Sequence, residues 1–360
     1  MGLRVYGGEV TRVRTFTSSV LGPADRGREL GEQHGAEIAR TIAAYRRLFA
    51  ARATRPFEVD EWAERAWATI GELAPTAAAE VAGIAEGARV PVREVAMLNA
   101  RTELLAVADP TGGVSECSTV VALPENGAPV AVQTWDWYDA MAADWLVWTI
   151  PHPDGHVVRT VTEYGVLGKI GVSSRGVGVL FNMLHHSDDA RAEDKGLGFP
   201  VHLLSRQILD TARDLDEALS QAFEVSTSAS TSLTVVDAAG RTASVELFPG
   251  GPGLVQPRDG LLVRTNHFVS DAGAPGCLAA SIGPSSALRR TTLLHALREQ
   301  VPESPGQVVA AMDHHAEAGG VCAHPDPAVE PVLRHATLAT VVVDVTAREL
   351  HVTPGGPCGR

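Results

Sequence analysis

The sequence predicts a layered α+β sandwich that follows a helical N-terminal segment. Over the first hundred residues, apolar side chains recur at helical spacing, as at Ile38, Ile42, Tyr45 and Phe49. From residue 118 onward, short runs rich in β-branched residues replace this spacing, and two helical stretches separate them. Because helices and sheets must each cover an apolar face, this order of elements favours layers packed on one another.

The N-terminal helices can be followed along the chain by their apolar residues. Beyond the first helix, the predicted buried positions are Trp62, Ala66, Ile70, Leu73, Val81 and Ile84. Pro91 marks the start of a new helix, since proline suits the first helical turn. Gly27, Gly31 and Gly35 lie four residues apart on one helix face. We expect these glycines to allow close helix packing rather than to bind a ligand.

The later strands are short and are separated by turn residues. We expect strands at 157–163, 169–172, 177–181, 233–237, 243–248 and 261–264. Helices are expected at about 201–212 and 214–223. Asp214 and Glu217 suit a capping box at the start of the second of these helices.

A β-hairpin is predicted around Asn126-Gly127, the strongest two-residue turn signal in the chain. Strands at 118–123 and 129–134 flank this turn. If the loop has two residues, paired positions are equidistant from it, and Cys117 lies directly opposite Asp136. Cβ atoms of opposed residues are roughly 4.5–5.5 Å apart, which lets a carboxylate hydrogen-bond a group on the other residue.

Cys117 is the candidate nucleophile because a Gly-containing loop at 109–115 precedes it, as a cleavage site requires. Breaking the Glu116–Cys117 bond would give Cys117 both a thiol and an α-amine, whose unperturbed pKa is about 7.7–8.0. The nucleophile and its base would then belong to one residue. From the hairpin alone, a buried structural cysteine is the simpler interpretation.

Motifs of a known family recur in order along the chain. They are GRELGEQHG from residue 27, LNARTEL from 98, ECST from 116, QTWDW from 133, TEYG from 162, FNML from 181, TNHF from 265, SALR from 286, DH from 313, CAH from 322 and GPC from 356. By these motifs the chain resembles, nearly end to end, the acyl-coenzyme A:6-aminopenicillanic acid acyltransferase (isopenicillin N acyltransferase) family. Its members are autoproteolytic N-terminal-nucleophile (Ntn) hydrolases.

The resemblance implies a four-layer αββα Ntn-hydrolase sandwich. Residues 1–116 would become the smaller chain and 117–360 the catalytic chain, and the two would stay associated as one domain. The Cys117 thiol would attack the Glu116 carbonyl carbon and later a substrate amide or thioester. Asp136 would hold the new α-amine.

The resemblance also implies roles for two residues in the C-terminal half of the chain. Asn266 would donate a hydrogen bond to the oxyanion, whereas from the residues alone an Asx turn after the strand at 261–264 is the preferred interpretation. Arg289 would hold Asp136 or a substrate carboxylate, and the adjacent Arg290 is an alternative. Residues 99, 101 and 103 are expected to brace the precursor rather than to react.

The sequence specifies the substrate less closely than it specifies the candidate catalytic residues. Trp135, Trp137 and Tyr138 are candidates to line an acyl pocket, with burial in the core as the alternative. Gln133 stands where related bile-salt and penicillin V hydrolases carry arginine, which weakens a bile-salt assignment. We expect a small N-acyl, β-lactam-like or thioester substrate, with hydrolysis slightly favoured over transfer. No cofactor is expected, although an acyl-CoA could serve as a co-substrate.

Composition excludes several function classes. A net charge of −13 disfavours nucleic acid and anionic membranes as partners. The N-terminus lacks a secretory apolar core, and no run approaches the ~18 apolar residues of a membrane span, so we expect a cytoplasmic protein. The four cysteines form no CxxC pair and are expected to be reduced.

Two other functions remain open. Histidine groups suggest a metal-dependent hydrolase, and they are His152 with His156, His185 and His186 with Asp188 and Asp189, and Asp313, His314 and His315 with Cys322 and His324. We nevertheless expect no metal, because His152 and His156 lie in a turn, and adjacent histidines such as His185 and His186 point in opposite directions on a strand. The second alternative is a non-catalytic scaffold that stays unprocessed.

Overall fold

The computed structural model describes residues 13–113, 117–189, 196–316 and 319–359. Glu116, the predicted residue before the cleaved bond, lies outside the described residues, as do residues 114 and 115. The described ranges contain two β-sheets, with helices on the outer face of each and a helical N-terminal segment.

Five helices occupy the described part of the N-terminal segment, as the apolar spacing predicts. They are α1 (Pro23–Arg52), α2 (Val59–Leu73), α3 (Pro75–Ala88), α4 (Val92–Asn99) and α5 (Arg101–Ala108). The glycine face of α1 packs closely on α3: a Cβ on Gly27 would lie 2.1 Å from Glu80 O, and one on Gly31 would lie 2.4 Å from Ile84 O. The expected packing role of these glycines is therefore confirmed.

The larger sheet has eight strands. In spatial order they are β1 (Thr15–Thr17), β4 (Trp145–Pro151), β5 (Val157–Glu163), β6 (Ile170–Ser173), β7 (Val177–Met183), β8 (Thr231–Asp237), β9 (Thr242–Phe248) and β10 (Gly251–Val255). Neighbours are antiparallel except β1 and β4, which pair in parallel. Strand β1 was not predicted from the sequence, and it joins the N-terminal segment to this sheet.

The smaller sheet has five antiparallel strands. In spatial order they are β11 (Leu261–Arg264), β2 (Ser118–Ala122), β3 (Val130–Tyr138), β12 (His335–Asp344) and β13 (Glu349–Pro354). Side chains alternate between its faces. Thr119 and Gln133 point toward the larger sheet, where Gln133 hydrogen-bonds the main chain of Phe181 in β7.

Helices cover the outer faces of both sheets. They are α6 (Val201–Thr211) and α7 (Leu215–Glu224) on the larger sheet and, on the smaller, α9 (Ser285–Leu297) and α10 (Pro305–Met312), with the single turn α8 (Ala279–Ile282) before them. Val120 and Val132 of the smaller sheet pack in one apolar cluster with Leu293 and Val308 of α9 and α10. The predicted four-layer αββα sandwich is thus confirmed.

The hairpin of β2 and β3 differs from the prediction by one residue. Ser118 pairs with Thr134, and this register places Cys117 level with Trp135 instead of Asp136. The prediction that Cys117 directly opposes Asp136 is therefore wrong. The two residues are nevertheless neighbours, for a reason described below.

Two prolines explain the shifted register. Pairing stops at Ala122 and Val130, so the loop between the strands has an odd number of residues rather than two. Pro124 and Pro129 lie in this loop, and the φ of proline, fixed near about −65°, departs from the φ of about −140° in an antiparallel strand, so neither favours extension of the ladder. The turn inside the loop forms at Glu125 and Asn126, one residue earlier than predicted.

The expected capping of α7 is correct for one residue of the pair. Asp214 accepts a hydrogen bond from the Glu217 N–H (3.0 Å). The Glu217 carboxylate instead accepts from the Arg213 N–H (3.0 Å), one residue before the N-cap. None of the helices in the described ranges is long and apolar enough to cross a membrane.

Candidate active site

The thiol of Cys117 lies against the main chain of Asp136. The Asp136 N–H donates to Sγ (3.4 Å), and the thiol donates to the Asp136 carbonyl oxygen (3.3 Å). Burial, together with the nearby Asp136 charge, raises the pKa of the Cys117 thiol to about 12, although the Asp136 N–H, Lys169 and Arg289 act in the opposite direction. In the uncleaved chain this thiol therefore carries its proton at neutral pH.

Arg289 joins the candidate nucleophile to the candidate oxyanion donor. One end of its guanidinium, Nη1, donates to the carbonyl oxygen of Cys117 and to Oγ of Ser118, both at 2.9 Å. The other end, Nη2, donates to Oδ1 of Asn266 at 3.0 Å. Arg290, the alternative considered from the sequence, instead donates to the carbonyl oxygen of Val263. The structure therefore places Arg289 in the candidate site.

Asn266 follows β11 directly, and Arg289 fixes its side-chain orientation. Because a guanidinium only donates, the Asn266 atom that faces it is the oxygen, and the amide NH₂ must point the other way. That nitrogen donates to the carbonyl oxygen of Met183 (2.8 Å), and the Asn266 main chain is held by Ser286 Oγ (2.8 Å). These side-chain hydrogen bonds reach residues distant in sequence, which differs from the Asx turn considered as the alternative.

Asn182 belongs to the same site and was missed by the sequence reasoning. Its amide donates to the carbonyl oxygen of Cys117 (3.1 Å), and its oxygen accepts from Oγ1 of Thr119 (2.8 Å). The signal in the sequence is a polar residue within the otherwise apolar strand β7, which is buried along its whole length. With Arg289, Asn182 fixes the main chain at the nucleophile.

A buried cluster of charges lies behind the aromatic residues of β3. Glu163 pairs with Arg101 and with Lys169 (3.0 Å to Nζ), and accepts a hydrogen bond from Tyr45. Burial lowers the pKa of Lys169 to about 7, although the Glu163 charge opposes that change. The ammonium of Lys169 lies 3.8 Å from the ring centroid of Trp135, a cation–π contact.

The residues expected to brace the precursor do connect the N-terminal segment to the sandwich. Asn99 donates to the carbonyl oxygen of Gly165 (2.8 Å), and Glu103 accepts from the Val201 N–H (2.8 Å) at the start of α6. All of these side chains are fully buried.

Trp135, Trp137 and Tyr138 are all buried. Trp137 and Tyr138 line a small crevice with room for about one water molecule, which also borders Met183 and Gly113, the last described residue before Cys117. Trp135 instead packs edge-on against Trp145. Two of the three proposed pocket residues thus lie beside a crevice near the nucleophile.

Of the predicted histidine groups, His185 lines the same crevice as Trp137 and Tyr138, and the others described next have different surroundings. His152 faces Asp210, and His156 lies within hydrogen-bond distance of the carbonyl oxygen of Leu209 (2.9 Å). His186 is packed between Phe248 and Phe268. Among the described residues, the histidines that converge with cysteines are His315 and His324.

Comparisons of the sequence with known proteins found a matching family and a relative. The family model of acyl-coenzyme A:6-aminopenicillanic acid acyl-transferase matches residues 123–357, a range that includes Asp136, Asn266 and Arg289. The 40 kDa form of acyl-coenzyme A:6-aminopenicillanic-acid-acyltransferase from Emericella nidulans is 30% identical over 220 residues, which are 61% of this chain and 58% of the fungal protein. The chain thus spans less than two thirds of that relative.

Two solved structures are among the matches. One is an N-acylethanolamine-hydrolyzing acid amidase ortholog from Caenorhabditis elegans, with a TM-score of 0.47 and 13% identity, covering 64% of this chain and 93% of the other. The second is penicillin V acylase from Agrobacterium tumefaciens, with a TM-score of 0.45 and 15% identity, covering 66% and 83% of the two chains.

Proposed function

Because the chain belongs to the acyl-coenzyme A:6-aminopenicillanic acid acyl-transferase family, we propose that it is a self-processing N-terminal cysteine amide hydrolase or acyltransferase. The observation that carries this proposal is the bridge made by Arg289. One guanidinium holds both the main chain of Cys117 and the side chain of Asn266, while the Cys117 thiol rests on Asp136.

Self-processing begins with attack of the Cys117 sulfur on the Glu116 carbonyl carbon. A C–S bond forms, the Glu116–Cys117 amide C–N bond breaks, and the nitrogen takes up a proton to become the α-amine of Cys117. Water then hydrolyses the thioester and leaves a carboxylate on Glu116. The main chain of Cys117 is held by Arg289 and Asn182, which limits the movement of the nucleophile during these steps.

The new α-amine supplies the base that the thiol lacks. Burial raises the thiol pKa to about 12, whereas an α-amine has an unperturbed pKa of about 7.7–8.0 and is partly neutral at pH 7–8. The amine can accept the thiol proton as sulfur attacks. The Asp136 carboxylate then stabilises the resulting α-ammonium.

Turnover proceeds through an acyl-enzyme. The sulfur attacks the substrate carbonyl, the amine or thiol leaving group takes the proton, and the acyl group remains on Cys117 as a thioester. Asn266 donates to the developing oxyanion, and one such donor contributes about 10²–10³ in rate. Water or an acceptor amine then removes the acyl group, which distinguishes a hydrolase from a transferase.

We assign a small N-acyl, β-lactam-like or thioester substrate, with its acyl group beside Trp137 and Tyr138, where the small crevice must widen to admit it. The name of the Emericella relative includes an acyl-CoA and 6-aminopenicillanic acid, which supports testing acyl-CoA as donor. We favour hydrolysis slightly over transfer, and the assay below distinguishes the two.

The two chains formed by cleavage stay associated in this account. Strand β1 pairs with β4 across the cleavage point, and the buried Arg101–Glu163 ion pair also joins the two chains. Separation would also expose to water the apolar side chains of α1 to α5 that pack in one core with both sheets, and burial of apolar surface is the main stabilising contribution.

The test uses a panel of N-acyl amides, penicillin V included, and the matching acyl-CoA thioesters. Released amine or thiol is quantified, and an acyl adduct on the larger chain is sought by mass spectrometry. Cys277→Ala is the matched control because Cys277 lies outside the site and is partly exposed. We expect wild type and Cys277→Ala to turn over equally and Cys117→Ala to show neither turnover nor adduct. Turnover by Cys117→Ala would exclude this nucleophile and favour the metal-dependent hydrolase considered from the sequence, whereas a wild-type protein without turnover would favour the non-catalytic scaffold.

A further inference from the structure

Four side chains with metal-binding groups converge beside β12, away from the Arg289 bridge. They are His315, Cys322, His324 and Cys358, and their four ligand atoms all lie within 4.8 Å of one another. The sulfurs of the two cysteines are 3.4 Å apart, and the Nε2 atoms of the two histidines are 3.0 Å apart. His324 Nε2 lies 3.8 Å from Cys322 Sγ and 3.5 Å from Cys358 Sγ.

Four of the six separations among these atoms are close to the edges of a tetrahedron around one metal ion. Zinc–sulfur bonds are about 2.3 Å and zinc–nitrogen bonds about 2.0–2.1 Å, so the edges of a Cys₂His₂ site are about 3.3–3.8 Å. The four separations given above lie within about 0.3 Å of that range. The other two, from His315 to each sulfur, are at most 4.8 Å, so His315 would move toward the sulfurs by up to about 1 Å on binding the ion. We infer that His315, Cys322, His324 and Cys358 bind one zinc ion.

The donor atoms favour zinc over hard cations. Thiolate and imidazole ligands suit zinc, whereas calcium and magnesium require oxygen. The second ring nitrogen of His315, Nδ1, faces a carboxylate oxygen of Asp313 at 3.5 Å. A carboxylate in this position orients a ligating imidazole and raises its basicity.

The site is structural rather than catalytic. Four protein ligands complete the tetrahedron and leave no open position for water or substrate. It therefore does not revive the metal-dependent hydrolase considered from the sequence, which would need such a position.

The zinc ion would fasten two segments next to the candidate active site. The Ala323 N–H donates to Oγ1 of Thr337, and the Thr337 N–H donates to the carbonyl oxygen of Ala323, both at 3.0 Å. Thr337 is the β12 partner of Asp136 in the sheet. The metal would thus hold His315, residues 319–324 and the segment that contains Cys358 against β12, the strand that pairs with β3 at Asp136.

Gly356 lets the second segment approach the ligand loop. A Cβ at this position would lie 2.3 Å from Cys322 Sγ, so any larger residue would displace a ligand. This close approach brings Cys358, two residues later, to the other ligands. The sequence separation of 34 residues between His324 and Cys358 explains why the cysteine was not grouped with the histidines from the sequence.

The test measures the metal content of tag-free protein purified without chelators. We expect about one zinc ion per chain that resists dialysis, and X-ray absorption with two sulfur and two nitrogen neighbours at zinc. Cys358→Ser should reduce zinc content at least tenfold. Cys277→Ser is the control and should retain zinc, because Cys277 is not among these ligands.

A second measurement keeps the proposal testable if Cys358→Ser does not fold. Wild-type protein stripped of metal is titrated with Co²⁺, and a thiolate-to-cobalt charge-transfer band with tetrahedral d–d bands should appear at one equivalent. Zinc-free protein with a Cys322–Cys358 disulfide, seen as a mass lower by two hydrogens, would overturn the proposal. So would two free thiols that bind neither metal, or zinc retained by Cys358→Ser.

Discussion

Replacing Arg289 by methionine removes the one group that connects the candidate nucleophile with the candidate oxyanion donor. Methionine has a similar length and no donor. The carbonyl oxygen of Cys117, Oγ of Ser118 and Oδ1 of Asn266 each lose a hydrogen bond from a charged donor. Two consequences follow, one for stability and one for turnover.

The stability change can be estimated from these three acceptors. A buried acceptor left without its partner costs about 1–3 kcal/mol, so the three together predict a loss of about 3 kcal/mol or more in unfolding free energy. Asn182 still donates to the Cys117 carbonyl oxygen (3.1 Å), which keeps the loss toward the lower end of the range.

The change in turnover should exceed what lost stability explains. Without Arg289, Oδ1 of Asn266 has no fixed partner, and its amide can rotate away from the oxyanion. Loss of one oxyanion donor lowers kcat about 10²–10³-fold. Removing the cation also raises the pKa of the Cys117 thiol, because the Arg289 charge acts to lower it. Arg289→Lys should not restore activity, since one ammonium cannot bridge two acceptors as a guanidinium does.

The assay measures kcat and KM below the unfolding transition, with Arg290→Met as the matched control. Arg290 is the next residue of α9. Its guanidinium donates to the carbonyl oxygen of Val263 rather than to a residue of the candidate site. We expect Arg290→Met to keep kcat within a few-fold of wild type. Equal loss of kcat in the two variants, or full activity in Arg289→Met, would refute the assigned role of Arg289.

Two further predictions concern stability. In thermal unfolding, Gly31→Ala should destabilise the protein by about 1–3 kcal/mol, because the added Cβ would lie 2.4 Å from the Ile84 carbonyl oxygen. Gly71→Ala is the control: the space around Gly71 is open, so this variant should be neutral or stabilising. Burial raises the pKa of Glu103 to about 7, so the native state binds this proton more tightly than the unfolded state does. The unfolding free energy of the wild type should therefore fall by up to about 3 kcal/mol between pH 4.5 and 7. Glu103→Gln, which mimics the protonated group, should gain that much relative to wild type over this interval in denaturant titrations. A constant difference between the two proteins would contradict the linkage.

The sequence predicts the layers well because periodicity is a local property. The alternation in β2 and β3 separates Thr119 and Gln133, which face the larger sheet, from Val120 and Val132, which face the helices. The order of helical and β-rich runs then restricts how such faces can be covered. These features need no knowledge of contacts between distant segments.

The register of the β2–β3 hairpin and the contact of Asn182 with the candidate nucleophile could not be predicted in the same way. Turn statistics favoured a two-residue loop, but the fixed φ of Pro124 and Pro129 disfavours extension of the strands as far as the turn. Likewise, the contact of Asn182 with Cys117 depends on how the two sheets face each other. Such arrangements follow from packing across layers, which a single sequence does not specify.

The measurement that tests the central claim most directly is the intact mass of the purified recombinant protein. The account predicts two fragments, the larger beginning at Cys117, in place of one chain of 37.9 kDa. Cys277→Ala should be processed in the same way, and Cys117→Ala should remain whole. A wild-type chain that stays whole on prolonged incubation, or a processed Cys117→Ala, would contradict self-cleavage by this thiol.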